Sequence, residues 1–170
     1  MAILGTDTFA ETEGMLAPFR VLDLTEGGCT LGGKMLADLG ADVIMIEPPG
    51  GSLTRHIGPF WHNRVHPEYS LFWWAYNTSK RSITLNIETA DGAAIFRRLT
   101  ETADFVLESF PPGYMSSLGL GYEASSKLNP RIIITSITPF GQTGPHAHYA
   151  WCDLTVWSSG GAVYLTGDPD

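Results

Sequence analysis

VLDLTEGGCTLGGKMLADLGADVIMIE, residues 21–47, reads as a strand, a glycine-rich turn, a short helix and a second strand. Residues 21–24 and 42–47 are apolar runs of strand length, and Leu36, Leu39 and Gly40 end a helical stretch with one apolar side. Two strands joined through a helix pair in parallel, which puts the glycine turn at the carboxyl end of the first strand. Backbone N–H groups and a helix N-terminus at that edge attract anions.

The same alternation continues along the chain. Residues 71–76 (LFWWAY) form an aromatic helix or short strand that must bury much of itself, and residues 82–87 (SITLNI) alternate as a half-exposed strand does. Thr89 is a plausible N-cap for a helix reaching Thr102, with Ala93, Ile95, Phe96 and Leu99 on its apolar face. Residues 105–107 give a further strand, residues 122–128 a short helix that stops at Asn129-Pro130, and residues 132–137 (IIITSI) a strand β-branched enough to be central. Recurrent β-α-β units without an internal sequence repeat predict an α/β fold, a Rossmann-like parallel sheet with flanking helices. Residues 1–17 are expected as a flexible polar lead-in. The turn-rich stretch 48–69, with three of the five histidines, is a long loop, and loops of that length in compact domains are usually functional.

Composition limits the function classes. A chain of 170 residues with 44% hydrophobic content is long enough for one domain with a real core. Its net charge of −8 argues against nucleic acid and anionic membrane as partners, since both require a basic face. The two cysteines, Cys29 and Cys152, fit a reducing compartment, and the acidic start lacks the basic-then-apolar pattern of a secretion signal. No run approaches the ~20 apolar residues of a membrane span. A cytoplasmic location is expected.

Several constellations carry possible chemistry. Gly28 to Lys34 nearly satisfies the phosphate-loop pattern GxxxxGK[ST], but Met35 stands where a hydroxyl is needed to hold Mg²⁺, and only Asp23 offers a second carboxylate. The turn also fails the GxGxxG pattern, so its glycines can equally serve close helix–sheet packing. Asn77-Thr-Ser-Lys80-Arg81-Ser82 would suit a phosphate, as would Arg55, although basic residues before a strand are commonly solvated. His62 with His66, and His146 with His148, have no acid or cysteine at a spacing that completes a metal shell, so no metal is expected. Asp153 opens a helix beside Trp151 and Trp157. It is either an N-cap or a carboxylate tuned by apolar neighbours.

Read in order, VLDLT…LADLGADVIMIEPPGG, NTSKRSITLNIET, ADFVLESFPPG, LGLGYEA…LNPRIIITSITPFGQTGP and CDL resemble the class III coenzyme A transferases, from about Phe19 to Gly167. That family takes in formyl-CoA and carnitine-CoA transferases and the related α-methylacyl-CoA racemases. The resemblance implies a Rossmann-like large domain, a smaller second domain and an interlocked homodimer. It implies coenzyme A or an acyl-CoA as substrate, with an acyl-CoA donor and a carboxylic acid acceptor. The CoA-lining positions fall on Gly27 and Gly28, Pro48, Leu85 and Glu88, Ser109, Phe110 and Pro111, and Ser117 and Leu118. Pro48 stands where some relatives have arginine and Pro111 where many have arginine or glycine, and the first loop is one residue shorter than the usual AGP form and lacks its glutamine.

Family chemistry runs through an aspartate that attacks the donor thioester and becomes an aspartyl-CoA. In relatives this nucleophile lies a few tens of residues beyond the position of Asp153, so residues 18–170 are expected to be an incomplete CoA-binding domain, inactive alone. Asp153 corresponds to a supporting active-site acid. Cys152 stands where the racemases have a histidine base, which favours a transferase over an acyl-CoA racemase or epimerase. A non-catalytic CoA- or nucleotide-binding module is the remaining alternative.

Overall fold

The computed structural model describes residues 14–167. The strands β1 (Arg20–Leu24), β2 (Asp42–Glu47), β3 (Arg81–Thr84), β4 (Phe105–Glu108) and β5 (Ile133–Ser136) form one sheet in the order β3-β2-β1-β4-β5, and every pairing is parallel. Six α-helices accompany them among the described residues: α1 (Thr30–Asp38), α2 (Leu71–Asn77), α3 (Ala90–Thr100), α4 (Tyr114–Ser117), α5 (Tyr122–Leu128) and α6 (Asp153–Ser159). The expected parallel α/β architecture is present. The chain winds outward from β1 through β2 to β3, then returns to the other side of β1 for β4 and β5. The strand order therefore reverses between β1 and β4, the position at whose carboxyl ends open α/β sheets commonly bind ligands.

The alternation of side chains along each strand feeds two cores. Leu22, Leu24, Ile44, Ile46 and Val106 pack with Ala93 and Phe96 of α3 and Met115 of α4, and Phe96 is the largest fully buried side chain. Val21, Val43 and Leu107 face α1 and meet Ala37 and Ala41. Small residues on α1 let that helix approach the sheet closely. Gly33 is the extreme case, because a Cβ there would lie 1.9 Å from Asp23 Oδ2.

Local signals explain the helix starts. Thr89 caps α3 by accepting from the Gly92 N–H at 3.1 Å, and Ser70 caps α2 by accepting from the Trp73 N–H at 3.0 Å. Residues 71–76, open between helix and strand in the sequence, are thus helical. Residues 14–17 of the expected lead-in dock on the end of α1, where the Leu16 N–H donates to the Leu39 carbonyl at 2.9 Å. Residues 1–13 lie outside the described residues.

Two strand expectations need correction. Of residues 132–137, Ile133–Ser136 form the edge strand β5 rather than a central one, and Ile133 is 51% exposed. β-branched composition reports fit to a pleated surface, which an edge strand also offers. β3 covers only Arg81–Thr84 instead of reaching Ile87. After Leu85, whose N–H still donates to the Glu47 carbonyl, the chain turns at Asn86 and drops Ile87 into the core under α3.

Two buried ion pairs brace the sheet. Lys80 Nζ, on the approach to β3, reaches under α1 to Asp23 Oδ2 at 2.8 Å, with both side chains 1% exposed or less. Its other protons go to the Thr30 carbonyl at 2.8 Å and Asn77 Oδ1 at 2.9 Å. Glu47, at the end of β2, accepts from Arg55 Nε at 2.6 Å and Arg55 Nη2 at 2.9 Å, while the Arg55 guanidinium also lies 3.9 Å from the centre of the Trp73 ring. Burial pushes the Glu47 carboxyl up, but the hydrogen bonds from Arg55, Ser82 and the Ser52 amide outweigh it and hold the group below its ordinary value.

Removing one partner of such a pair leaves an uncompensated buried charge, so Lys80→Met is expected to cost about 3 kcal/mol or more in denaturant unfolding. Gly33→Ala, which drives a methyl into the same carboxylate, is expected to cost on the order of 3 kcal/mol for the same reason. The contribution of Glu47 is present above its ordinary value of 4.5 and is lost as pH falls through the lower folded-state value. In Arg55→Met burial acts without the guanidinium and the carboxyl moves up. The stability gap between wild type and Arg55→Met should therefore be about 3 kcal/mol at pH 7 and narrow on acidification, as read by urea titrations at several pH values.

Candidate functional site

The carboxyl ends of β1, β2, β3 and β4 carry the residues singled out by the sequence. Gly27 and Gly28 follow β1, Pro48 follows β2, Leu85 and Glu88 follow β3, and Ser109 to Pro111 follow β4. Ser117 closes α4 and Leu118 comes next. All of them lie along one edge of the sheet, although they come from four separate loops. Phe110, Leu118 and Leu85 rest partly on the α3-side core, whereas Gly28, Pro48, Glu88, Pro111 and Ser117 are exposed.

The first loop owes its shape to the residues before it. Asp23 Oδ1 accepts from the Thr25 N–H at 3.0 Å and from Thr25 Oγ1 at 2.6 Å, so the last turn of β1 is tied to the buried ion pair. Gly27 then takes φ +61°, a left-handed backbone that glycine adopts without strain. A single turn of 3-10 helix over Gly27–Cys29 runs directly into α1. Thr30 Oγ1 donates back to the Gly27 carbonyl at 2.8 Å.

Glu26 links this loop to its neighbours. Its N–H donates to Ser109 Oγ at 2.9 Å, and its Oε2 accepts from Ser52 Oγ at 2.6 Å. The Ser52 N–H donates to Glu47 Oε2 at 2.9 Å, so two carboxylates share one serine. Burial first, and the Glu47 charge to a smaller degree, push the Glu26 carboxyl up against the hydrogen bonds that lower it.

On the β4 side Glu108 is 2% exposed and accepts from the Phe110 N–H at 2.7 Å. Gln142 takes the Gly113 N–H on its Oε1 at 3.1 Å and faces Glu108 Oε1 with its Nε2 at 3.4 Å. These contacts hold residues 138–145 against the FPPG turn. A cleft of about 220 Å³ opens there, lined by Glu108, Tyr114, Ser136 and Gln142 among others. The Tyr114 hydroxyl donates to Glu88 Oε1 at 2.6 Å, which joins the loops after β3 and β4; that bond pushes the phenol up.

Several sequence candidates have other employment. Gly33 and Lys34 lie inside α1, and Lys34 pairs with Asp38 one turn on, so the GxxxxGK stretch is a helix rather than a phosphate cradle. Asp23 and Lys80 neutralise each other in the interior, and Arg81 pairs with Asp42. Arg55 is held by Glu47 and Glu68. The Lys80-Arg81 phosphate reading is thereby overturned, because the lysine is buried and both cations are already paired. Among the described residues no group of three or more His, Cys, Asp or Glu is arranged to hold a metal.

Asp153 is the first residue of α6, after the N-cap Cys152. It is exposed, as are Trp151 at 63% and Trp157 at 54%, so the apolar enclosure pictured from the sequence is not formed among the described residues. The thiol of Cys152 is lowered, chiefly by its bond with the Thr155 main chain. Sequence reading missed Glu26, Ser52, Glu47 and Glu108. A signal existed for two of them: Glu47 and Glu108 are acids at the carboxyl ends of apolar strands, where a buried carboxylate needs a dedicated set of donors.

The family model for CoA-transferase family III matches residues 16–170. A succinyl-CoA:(R)-benzylsuccinate CoA-transferase subunit of Thauera aromatica is 43% identical over 149 residues, covering 88% of this chain and 36% of its own length. A succinate–glutarate CoA-transferase of Agrobacterium fabrum is 45% identical over 141 residues, covering 81% and 35% respectively. The crystal structure of a CAIB/BAIF family protein from Brucella suis superposes with a TM-score of 0.83 at 38% identity, covering 94% of this chain and 42% of that one. The chain thus spans little more than a third of the length of these curated relatives. With the family match running through every strand of the parallel sheet and the loops at its carboxyl edge, the chain belongs to CoA-transferase family III.

Proposed function

We propose that the protein transfers coenzyme A between carboxylic acids, with the edge built by the loops after β1 to β4 receiving the acyl-CoA. The observation that carries this reading is the family match over residues 16–170, which takes in all of those loops. Gly27, Gly28, Pro48, Leu85, Glu88, Ser109, Phe110, Pro111, Ser117 and Leu118 are the residues assigned to CoA. Main-chain N–H groups at the helix start after β1 suit anionic oxygens, either phosphate or a developing oxyanion.

The transfer is assigned to covalent catalysis. A carboxylate attacks the donor thioester carbonyl, the thiolate of CoA leaves, and the acyl group remains as a mixed anhydride. The thiolate then attacks the enzyme's side of that anhydride and releases the donor acid, which leaves an enzyme-bound CoA thioester. The acceptor acid reverses the sequence. The nucleophile is assigned to an aspartate outside residues 1–170, and Asp153 to a supporting acid. A homodimer in the cytoplasm, with no metal, belongs to the same reading.

Succinyl-CoA is the first donor to test, because the two relatives' names carry succinyl-CoA or succinate. Intact protein with succinyl-CoA and a panel of carboxylic acids should give acceptor-dependent new CoA thioesters by mass spectrometry. Hydrolysis alone, or α-proton exchange without a new thioester, would overturn the transferase reading. Residues 1–170 alone should show no turnover. Asp153→Asn should lower the transfer rate about 100-fold if the acid takes part in proton handling. Its melting temperature should hardly change, since an exposed polar substitution is worth within about 0.5 kcal/mol.

A further inference from the structure

Glu26 has an unusual position for a loop residue. It follows β1 at the point where the strand order reverses, and its two ends engage different loops. The N–H holds Ser109 Oγ after β4, and the carboxylate holds Ser52 Oγ after β2, while Ser52 Oγ also accepts from the Thr54 N–H at 3.1 Å. Ser52 is 0% exposed and is also bonded to Thr54 Oγ1 at 2.6 Å, so the acceptor in Glu26 meets a donor that is itself fixed.

The glycines that come next are held from the helix side through the Gly27 carbonyl, which accepts from Thr30 Oγ1, but no side chain packs around them. A Cβ built on Gly27 or Gly28 would meet nothing within 4 Å, so no side-chain packing surrounds them. Glycine also loses the most backbone freedom on ordering, and a Gly-Gly turn left to itself samples many conformations. The N–H groups of this turn keep a single orientation only if the residues on either side are held. Thr25 is held by Asp23, and Glu26 by Ser52 and Ser109.

Ser109 is oriented by the same contact. Its oxygen accepts from the Glu26 N–H, and no acceptor for its own proton occurs among the described residues. A hydroxyl whose lone pair is engaged by a main-chain donor still has its O–H to offer to a carbonyl or phosphate oxygen.

We propose that Glu26 is a positioning residue of the acyl-CoA edge, which fixes the Gly27–Gly28 main chain and presents the Ser109 hydroxyl as a donor to the ligand. This rests on the acyl-CoA reading given above. Glu26 itself touches no reacting atom. It acts through the glycine turn and Ser109.

The test uses intact protein, coenzyme A as the probe and three variants. Glu26→Ala should raise the Kd for CoA about tenfold in isothermal titration, because the turn loses its tie to Ser52. Glu26→Gln should stay within about threefold of wild type, since its amide oxygen still accepts from Ser52 and its N–H still reaches Ser109. Ser109→Ala should weaken CoA binding about tenfold while the glycine turn keeps its amide protection. Hydrogen exchange of the peptide over residues 25–31 supplies the second readout, and it should quicken about tenfold in Glu26→Ala but not in Glu26→Gln. A purely structural role would lower the melting temperature of Glu26→Ala and leave the Kd of the folded fraction unchanged, and that result overturns the proposal. If wild type binds no CoA, the acyl-CoA reading fails first. The exchange data then decide on Glu26: selective quickening in Glu26→Ala retains it as the anchor of the turn, and equal exchange rates overturn that too.

Discussion

A lysine ammonium buried beneath a helix, against a carboxylate on the central strand, is the constraint from which much else follows. Lys80 and Asp23 are both removed from water, and their separation of 2.8 Å is tolerable only because each has further partners. Asp23 spends its second oxygen on Thr25, and Lys80 spends its other protons on Thr30 and Asn77. Burial alone would discharge the lysine, and it does push that group down, against the neighbouring carboxylate which raises it. This one pair therefore fixes the end of β1, the start of α1, the end of α2 and the approach to β3. It also dictates Gly33, because any larger residue would occupy the space of the carboxylate.

The carboxyl edge is organised by acids rather than by bases. Glu47 and Glu108 each receive a main-chain donor from the loop that follows them, and Glu26, through Ser52 and Ser109, joins the loops after β1, β2 and β4 into one connected surface. In a chain with a net charge of −8 this has a clear physical sense. Cations that might have greeted an anionic ligand directly, such as Lys80 and Arg55, are used to neutralise carboxylates in the interior. On the proposed function, anion recognition at this edge falls to main-chain N–H groups and hydroxyls, whose direction depends on how firmly the loops are held.

Residues 139–167 contrast with this edge. Ala147 is buried there, but Trp151, Leu154, Trp157, Tyr164 and Leu165 are all more than half exposed. The α6 segment carries a large apolar surface for so short a helix. Asp153, proposed as a supporting acid, lies on that helix, while the CoA-assigned residues lie on the braced sheet edge.

The α/β class and parallel pairing were legible in residues 21–47 because hydrophobic periods and a helix between two strands leave few alternatives. Thr89 as a cap and the stop at Asn129-Pro130 were equally readable, since both act over a few residues. The family, too, was carried by ordered local motifs, and the family match agrees with it. Tertiary structure decided the rest. That β5 is an edge strand depends on which strand lies beside it, and composition is silent on neighbours. That Lys80 is an interior counter-ion instead of a phosphate ligand depends on Asp23, 57 residues away. Glu26 looked like one acid among eighteen until the loops of β2 and β4 were brought to it. Short-range steric and periodic rules are written along the chain, whereas the partner of a buried charge is fixed only when folding removes the water that would otherwise have served.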